Sequence, residues 1–588
     1  MEPIDAEMRD LLQPWNPEDE QMIDDKLNDI VMSLHHVAAD ESEQDDDQPL
    51  TYVPETSFPF ASAEEFDPTL VWKAKQDELE SFKRLNVYRP VLRDSMVETG
   101  AMISTKWVIT NKGTTAEPKI KARFVGREFN DKSMLGELFA GTPGLSVFRY
   151  LLSRLATWTR SGLRRSALVM DVKTAFLNAP CRRDVYIELP DAGPLSGNGK
   201  YVGKLNKALY GTRDAPMLWQ DTLRAALVGL GFVETLVMPG VFRHPVHELE
   251  LSAHVDDLFI VGLTKDLRWF QKEFAKLFTT TATWFGMEQD QEQEVKYLNR
   301  AIKMTESGVT ICPDTKHAEE VIKGLGLKEG RAAGSPNAGE DREAAAWDVS
   351  EEQLEPQRAR EHRGLVARLV YMAQDRMDLG VSSCTLARTM SKPREIDNTA
   401  LKRVGRYLLS HFYYEQRFDL QEEPEGLDVM TDSDWATCRT TRRSVSGGLI
   451  KLGAHVVQFW ARTQPRVALS SGEAELYAAV RGLAELQGML NLVRELRGEP
   501  AWGTLTLSVD ASACRAILLR RGSGSIKHLS LQVLWVQEVI KELNVQVMKI
   551  HRESNHAHVM ASSSVTKVLD QVMGELHVTR RPRLVNTS

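Results

Sequence analysis

The sequence predicts a multidomain protein of mixed α+β and α/β class. Three observations lead there. At 588 residues the chain is far longer than one hydrophobic core accommodates. Short apolar runs carrying aspartates alternate with stretches of helical periodicity through its middle. Over residues 421–570 strand-like runs come first and helix-like runs later, the layout of an α/β unit with carboxylates at strand ends.

Composition narrows the class further. The chain is 42% hydrophobic and 26% charged, as ordinary globular proteins are. No apolar run approaches the ~18 residues of a membrane span. The first residues lack the basic-then-apolar order of a signal peptide, so no membrane partner is expected. Cys181, Cys312, Cys384, Cys438 and Cys514 lie far apart with no CxxC pair. They suit a reducing compartment and argue against a disulfide framework or a zinc site. The net charge of -9 is unevenly spread: residues 1–50 hold sixteen Asp or Glu against Arg9 and Lys26, a balance of -14 that leaves +5 on the rest. A mildly basic body suits contact with phosphates, although many proteins without nucleic-acid partners share it.

Taken in order, the acidic segment 1–60 has too little apolar content to offset its ordering entropy. It is expected to be disordered apart from a short helix around Met22–Leu34. VWKAKQDELESFKRLN (71–86) reads as a helix with Trp72, Leu79 and Phe82 on or near one face. Short strands follow, then the helix-like SVFRYLLSRLATWTR (146–160). SALVMDV (166–172) reads as a core strand and LELSAHVDDLFIVGL (249–263) as a hairpin. Between them, KLNKALYGTRDAPMLWQDTLRAALVGLG (204–231) turns at Pro216 and continues as a helix. KEGRAAGSPNAGEDREAAAWD (328–348) has the composition of a linker, and helical patterns resume over 365–380 and 398–412. GLDVMTDSDWA (426–436) and SVSGGLIKLGAHVVQFWA (444–461) read as two strands flanking an acidic turn. A helix over 472–497 follows, then a strand ending at Asp510 and further helices.

Asp256 and Asp257 stand inside an apolar stretch, where two adjacent carboxylates repel and each loses hydration worth several kcal/mol by order of magnitude. A hard divalent cation such as magnesium is one compensation; a solvated turn is the plainer alternative. Asp171 ends another apolar strand, so a third carboxylate can join the same ions. Two metals about 4 Å apart activate an attacking 3′-hydroxyl and stabilise a leaving pyrophosphate.

VMDVKTAFLNAP, KLNKALYGTRDAPMLW and HVDDLFIVG, in this order, resemble the motifs VDVKTAFLNG, KLxKSLYGLKQAPRxW and YVDDLL(I/L)xG of copia-type reverse transcriptases. The resemblance also takes in VWKAKQDELESF, TKWV (105–108), KIKARFVGREF, YLNRAI, AQDRMDL, MSKP and LKRVGRYL, and covers about residues 66–565. It implies a right-hand polymerase of fingers, palm and thumb followed by a ribonuclease H-like domain. The expected boundaries are fingers and palm over 61–320, a linker and helical thumb or connection over 321–420, the ribonuclease H-like domain over 421–570 and a tail over 571–588. By the same resemblance Asp171, Asp256 and Asp257 hold two catalytic ions, Mg2+ or Mn2+. Phe176 excludes a sugar 2′-hydroxyl, Arg123 and Lys121 grip a triphosphate, and Tyr210 and Gly211 line the nucleotide pocket, the glycine allowing close backbone approach. Read alone, Phe176 has a core residue as its lesser alternative, and the two cations are more often surface charges.

TDSDWATCRTTRRSVSGG through ALSSGEAELYAA is similar to the ribonuclease H domain of these elements. Asp432, Glu475 and Asp510 match three of its four metal-holding acids, again with two ions expected. His558 stands where the fourth acid belongs and reads as a tolerated surface substitution, leaving efficient RNA cleavage in doubt. Elsewhere His254 replaces a Tyr, Asn299 a Gly and Met377 a Pro of the family pattern. The implied activity is RNA-directed DNA synthesis with removal of the RNA strand; the alternative is a degenerate relic that binds nucleic acid without efficient catalysis. Implied partners are an RNA template, a DNA primer, an RNA–DNA hybrid, deoxynucleoside triphosphates and other polyprotein products. The implied location is intracellular: cytoplasmic, in a virus-like particle, or nuclear.

Overall fold

Four β-sheets organise the residues described by this computed structural model. These are 66–583 except 99, 114–116, 129–139, 192–198, 328–330, 338–351, 439, 523, 525–527 and 529. The acidic segment 1–60, its expected short helix and most of the 328–348 linker lie outside the described residues.

The first sheet runs, in spatial order, Tyr88–Leu92, Tyr201–Leu205, Val185–Ile187, Ala101–Asn111 and Ile120–Arg127. Helix Pro68–Arg84 packs on the last of these. Asp67 caps that helix by accepting from the Thr69 amide, and Pro68 supplies a preset first turn. Its inner face differs from the expected one. Ala74, Glu78 and Phe82, one every four residues, are buried, whereas Trp72 is 62% exposed.

The second sheet is antiparallel throughout: Thr280–Phe285, Ser166–Val172, Asp257–Gly262, Leu249–His254, Val241–His244 and Val233–Glu234. Both faces are covered, so Ser166–Val172 and Asp257–Gly262 are largely apolar on both, while buried Glu250 and Ser252 interrupt Leu249–His254. Leu168, Met170, Leu258 and Ile260 join the core under helices Ala215–Gly229 and Thr264–Phe274. Ala167, Phe259 and Val261 face helix Leu145–Leu155, where Phe148 meets Phe259 at 5.1 Å between ring centres. Side chains alternate along a strand, so Asp171 and Asp257 share the Phe259 face.

The third sheet corrects two expected boundaries. It pairs Glu294–Tyr297, Arg300–Thr305 and Gly308–Cys312 with Tyr413–Asp419 and Val578–Arg581, all antiparallel. A boundary at 320 therefore cuts through one sheet. Nor is 571–588 a tail over its first part: helix Thr566–Glu575 sinks Leu569, Val572 and Met573 into the core around Val366 and Leu401, and Val578–Arg581 closes the sheet edge.

In the fourth sheet His455–Thr463, Val445–Leu452 and Gly426–Ser433 are antiparallel, while Thr504–Val509 and Gln546–Lys549 continue it in parallel. Helix Ser471–Arg497 lies across it. The run expected as one strand over 444–461 is a hairpin bent at Gly453, whose φ of +62° puts it in the left-handed region.

Two candidate acidic active sites

The first site forms where Ser166–Val172 and the hairpin Leu249–Gly262 end at one rim of the second sheet. Asp257 lies opposite Asp171 on one side and His254 on the other. The Val172 amide donates to the Asp256 carbonyl at 2.9 Å, coupling the turn to the Asp171 strand. The turn itself is Val255–Asp256, with Val255 at φ +60°, costly for a β-branched residue by about 1–2 kcal/mol. Trp219 offsets this by donating its indole N–H to the Val255 carbonyl at 2.7 Å. Burial raises the pKa of Asp256, as does Asp171. Burial, then Asp256 and Asp171, push Asp257 up to about 6.

The first sheet faces this rim with cations. Arg123 lowers the pKa of Asp256, and its guanidinium lies 5.1 Å from the Tyr210 ring. Tyr210 in turn lies 5.1 Å from Phe176, on the short helix that follows Asp171. Burial and then Arg123 lower the pKa of exposed Lys121, while Glu78 and Asp171 act to raise it. Phe176 is half-buried, packed against the core under the second sheet. Gly211 makes its close approach elsewhere than expected. At φ +85° it presses on the neighbouring strand, and a Cβ there would stand 2.2 Å from the Gly126 carbonyl oxygen.

Glu78 is the residue the sequence reading missed. It is 7% exposed, its Oε1 has no hydrogen-bond partner, and burial raises its pKa against the pull of Lys121 and Arg123. Its only signal in the sequence is the four-residue spacing from Ala74 and Phe82. The departures noted above sit in defined local settings. Burial lowers the pKa of His254, favouring a neutral ring beside Asp256. Leu298 and Asn299, at φ 46° and 62°, form a tight hairpin turn in which Asn tolerates the left-handed conformation that Gly would adopt. Met377 is fully buried in a one-turn helix.

The second site is tighter. Asp432 comes from strand Gly426–Ser433, Glu475 from the first turns of helix Ser471–Arg497, and Asp510 from the end of strand Thr504–Val509. Ligand oxygens of these three lie within 4.8 Å of one another, a convergence found among the described residues here and not at the first site. Ser433 donates its amide and hydroxyl to Glu475 Oε1 at 3.2 and 3.1 Å, while Glu475 Oε2 is buried without a partner. Burial, then Asp432 and Asp510, push Glu475 up to about 9. An all-oxygen donor set this close and this dry fits a hard divalent cation. His558 is not a surface substitution: its side chain is 17% exposed and its Nδ1 lies 3.0 Å from Asp432 Oδ2.

Residues 87–337 match the family described as reverse transcriptase (RNA-dependent DNA polymerase). The retrovirus-related Pol polyprotein from transposon TNT 1-94 of Nicotiana tabacum is 25% identical over 517 residues, 86% of this chain and 37% of its own length. That from transposon RE1 of Arabidopsis thaliana is 23% identical over 490 residues, 82% and 32% respectively. Over most of its length the chain is similar to copia-type retrotransposon Pol sequences. Its reverse transcriptase domain contains the whole first acidic rim with Arg123, Lys121, Phe176, Tyr210 and Gly211; Glu78 and the second site lie outside the matched span. The chain spans about a third of the length of these Pol relatives. A solved foamy viral protease-reverse transcriptase in complex with double-stranded DNA aligns over 81% of this chain and 69% of its own, at 9% identity and a TM-score of 0.40, a likeness too distant to bear on function.

Proposed function

We propose that this Pol chain is an RNA-directed DNA polymerase extending a DNA primer with deoxynucleoside triphosphates on an RNA or DNA template, and that its second site cuts the RNA strand of the resulting RNA–DNA hybrid. The observation that carries this reading is the register that sets Asp257 opposite Asp171 under the Asp256 turn, inside the reverse transcriptase domain and facing Arg123. On this reading the first two sheets are fingers and palm. Asp171, Asp256 and Asp257 would hold the divalent cations, Mg2+ or Mn2+, which when bound activate the 3′-hydroxyl and neutralise the leaving pyrophosphate.

The chain's own groups do the rest. Arg123 offers a planar fork of donors to phosphate oxygens and is held in place by Tyr210. Lys121 adds an exposed charge on the same strand. Phe176, braced on Tyr210, presents a ring where a ribose hydroxyl would otherwise fit. Trp219 and the Val172 amide fix the Asp256 turn, so little reorganisation is needed when charge develops. The test is extension of oligo(dT) on poly(rA) with magnesium, run beside Asp256→Asn. Incorporation should be metal-dependent and fall by about 100-fold or more in the variant. A well-folded parent that incorporates nothing would sink this reading.

A further inference from the structure

At the second site three carboxylates converge and an imidazole stands beside them. Glu475 is 7% exposed and its Oε2 has no hydrogen-bond partner, so a buried acceptor is left within a group of oxygens less than 4.8 Å apart. That pairing points to one cation between Asp432, Glu475 and Asp510.

His558 does not extend the group. Its Nδ1 lies 3.0 Å from Asp432 Oδ2, the distance of a shared proton, so that nitrogen offers no lone pair to a metal. Ser562 Oγ lies 3.2 Å from both ring nitrogens, and with the Nδ1 proton given to Asp432 its hydroxyl can donate to Nε2. The backbone that carries it is anchored. Asn555, 1% exposed, donates to the carbonyl of Thr431, the residue before Asp432, at 2.9 Å. Gly447 lets the short helix His558–Ala561 press on the sheet, since a Cβ there would stand 2.5 Å from the Ala561 amide. Charge argues the same way. Two dications among three carboxylates would leave surplus positive charge in a part-buried site, which a fourth carboxylate would cancel and an imidazole does not.

We infer that this site takes one divalent cation, held by Asp432, Glu475 and Asp510, and that His558 positions the Asp432 carboxylate rather than holding a second cation. The inference rests on the second site being a cation site, as proposed above, and departs from the two ions per site that the family resemblance implies. Imidazole-to-carboxylate hydrogen bonds of this kind orient a ligand and tune its affinity, typically by 10- to 100-fold.

The experiment counts bound Mn2+ by electron paramagnetic resonance in the full chain, with Asp256→Asn and Asp257→Asn silencing the first site. One Mn2+ is expected in this parent and two after His558→Asp. His558→Ala should keep one, bound about 10-fold more weakly. Two ions in the parent, or no gain in His558→Asp, would overturn the inference. No Mn2+ at all in the parent would instead remove the second site as a cation site. Should His558→Asp fail to fold, pulsed spectra of the parent decide. Nitrogen coupling to Mn2+ that is lost in His558→Ala makes His558 a ligand and refutes the inference, and its absence supports the positioning role.

Discussion

Asp257 has burial, Asp256 and Asp171 all acting against its charge, and its pKa rises to about 6. An unfolded Asp ionises near about 3.9. Between those values the folded protein binds the extra proton, so this group's contribution to stability falls as pH rises through the window. Above it the full cost remains, on the order of 1–2 kcal/mol once solvent screening at a part-exposed group is allowed for. Asp257→Asn should therefore stabilise the metal-free protein at pH 8 by about that amount, leave it nearly unchanged at pH 4, and abolish primer extension. Urea denaturation in EDTA at the two pH values checks this; equal effects at both would contradict it. This residue was legible in the sequence because two acids in an apolar run advertise themselves. Glu78 was not, because an acid among Glu, Ser and Lys on a helix looks like solvent-facing charge until the neighbouring strand is seen to cover it.

Elements were legible where both faces of a strand are apolar, as in Ser166–Val172 and the hairpin Leu249–Gly262, and less so where local chemistry is ambiguous. The bend at Gly453 sits in LGAHV, with none of the Asn-Gly or Asp-Gly signals of a tight turn, so 444–461 read as continuous. The four-residue edge strand Val578–Arg581 is too short for periodicity to show at all. Gly211 is a case where the residue was singled out and its neighbour was not foreseen. The Gly126 amide donates to the Tyr210 carbonyl at 2.8 Å, and the Glu128 amide donates to the Gly211 carbonyl at 3.3 Å, so the loop is stitched to the strand that carries Arg123. Gly211→Ala forces a Cβ into the Gly126 carbonyl at a positive φ. It should cost about 2 kcal/mol or more in chemical denaturation. It should also weaken nucleotide binding through displaced Arg123; a neutral substitution would show that the loop lifts off freely.

At the scale of the molecule, buried ion pairs run across the boundaries drawn from sequence. Arg154 on helix Leu145–Leu155 pairs with Glu250 of the second sheet at 3.1 Å and with Glu423 at 2.5 Å. Glu423 also takes Arg165 and, from the end of helix Ser471–Arg497, Arg497. In AQDRMDL, Asp375 binds Arg300 at 2.8 Å, and Asp378 takes Arg376 and Tyr407, each at 2.6 Å. Tyr407 accepts from Arg580 beyond the expected tail boundary. Residues hundreds of positions apart carry no mutual signal in one sequence, which is why the segments read as separate domains while the sheets and salt bridges join them.

His455 makes the same joint sensitive to pH. Its Nε2 lies 2.7 Å from the Asp419 carbonyl and so must donate; its Nδ1 then accepts from Ser153 Oγ at 2.8 Å and Gln421 Nε2 at 3.0 Å. The neutral ring thus ties helix Leu145–Leu155 and the third sheet to the fourth. Burial pushes its pKa down to about 4. An unfolded His titrates near about 6.5, so between those values the unfolded chain binds more protons. The contribution of His455 is fully present above the upper value and is lost as pH falls toward the lower one, up to about 3 kcal/mol in all. Asp257 changes in the opposite sense over part of the same range, so the comparison must be between proteins rather than between pH values. His455→Gln keeps a donor and an acceptor but cannot titrate. The stability difference between parent and variant, measured by urea denaturation, should shrink by about 2–3 kcal/mol from pH 7 to pH 4. A difference that stays constant would mean that the ring titrates alike in the folded and unfolded chain and that the joint is not the acid-sensitive part.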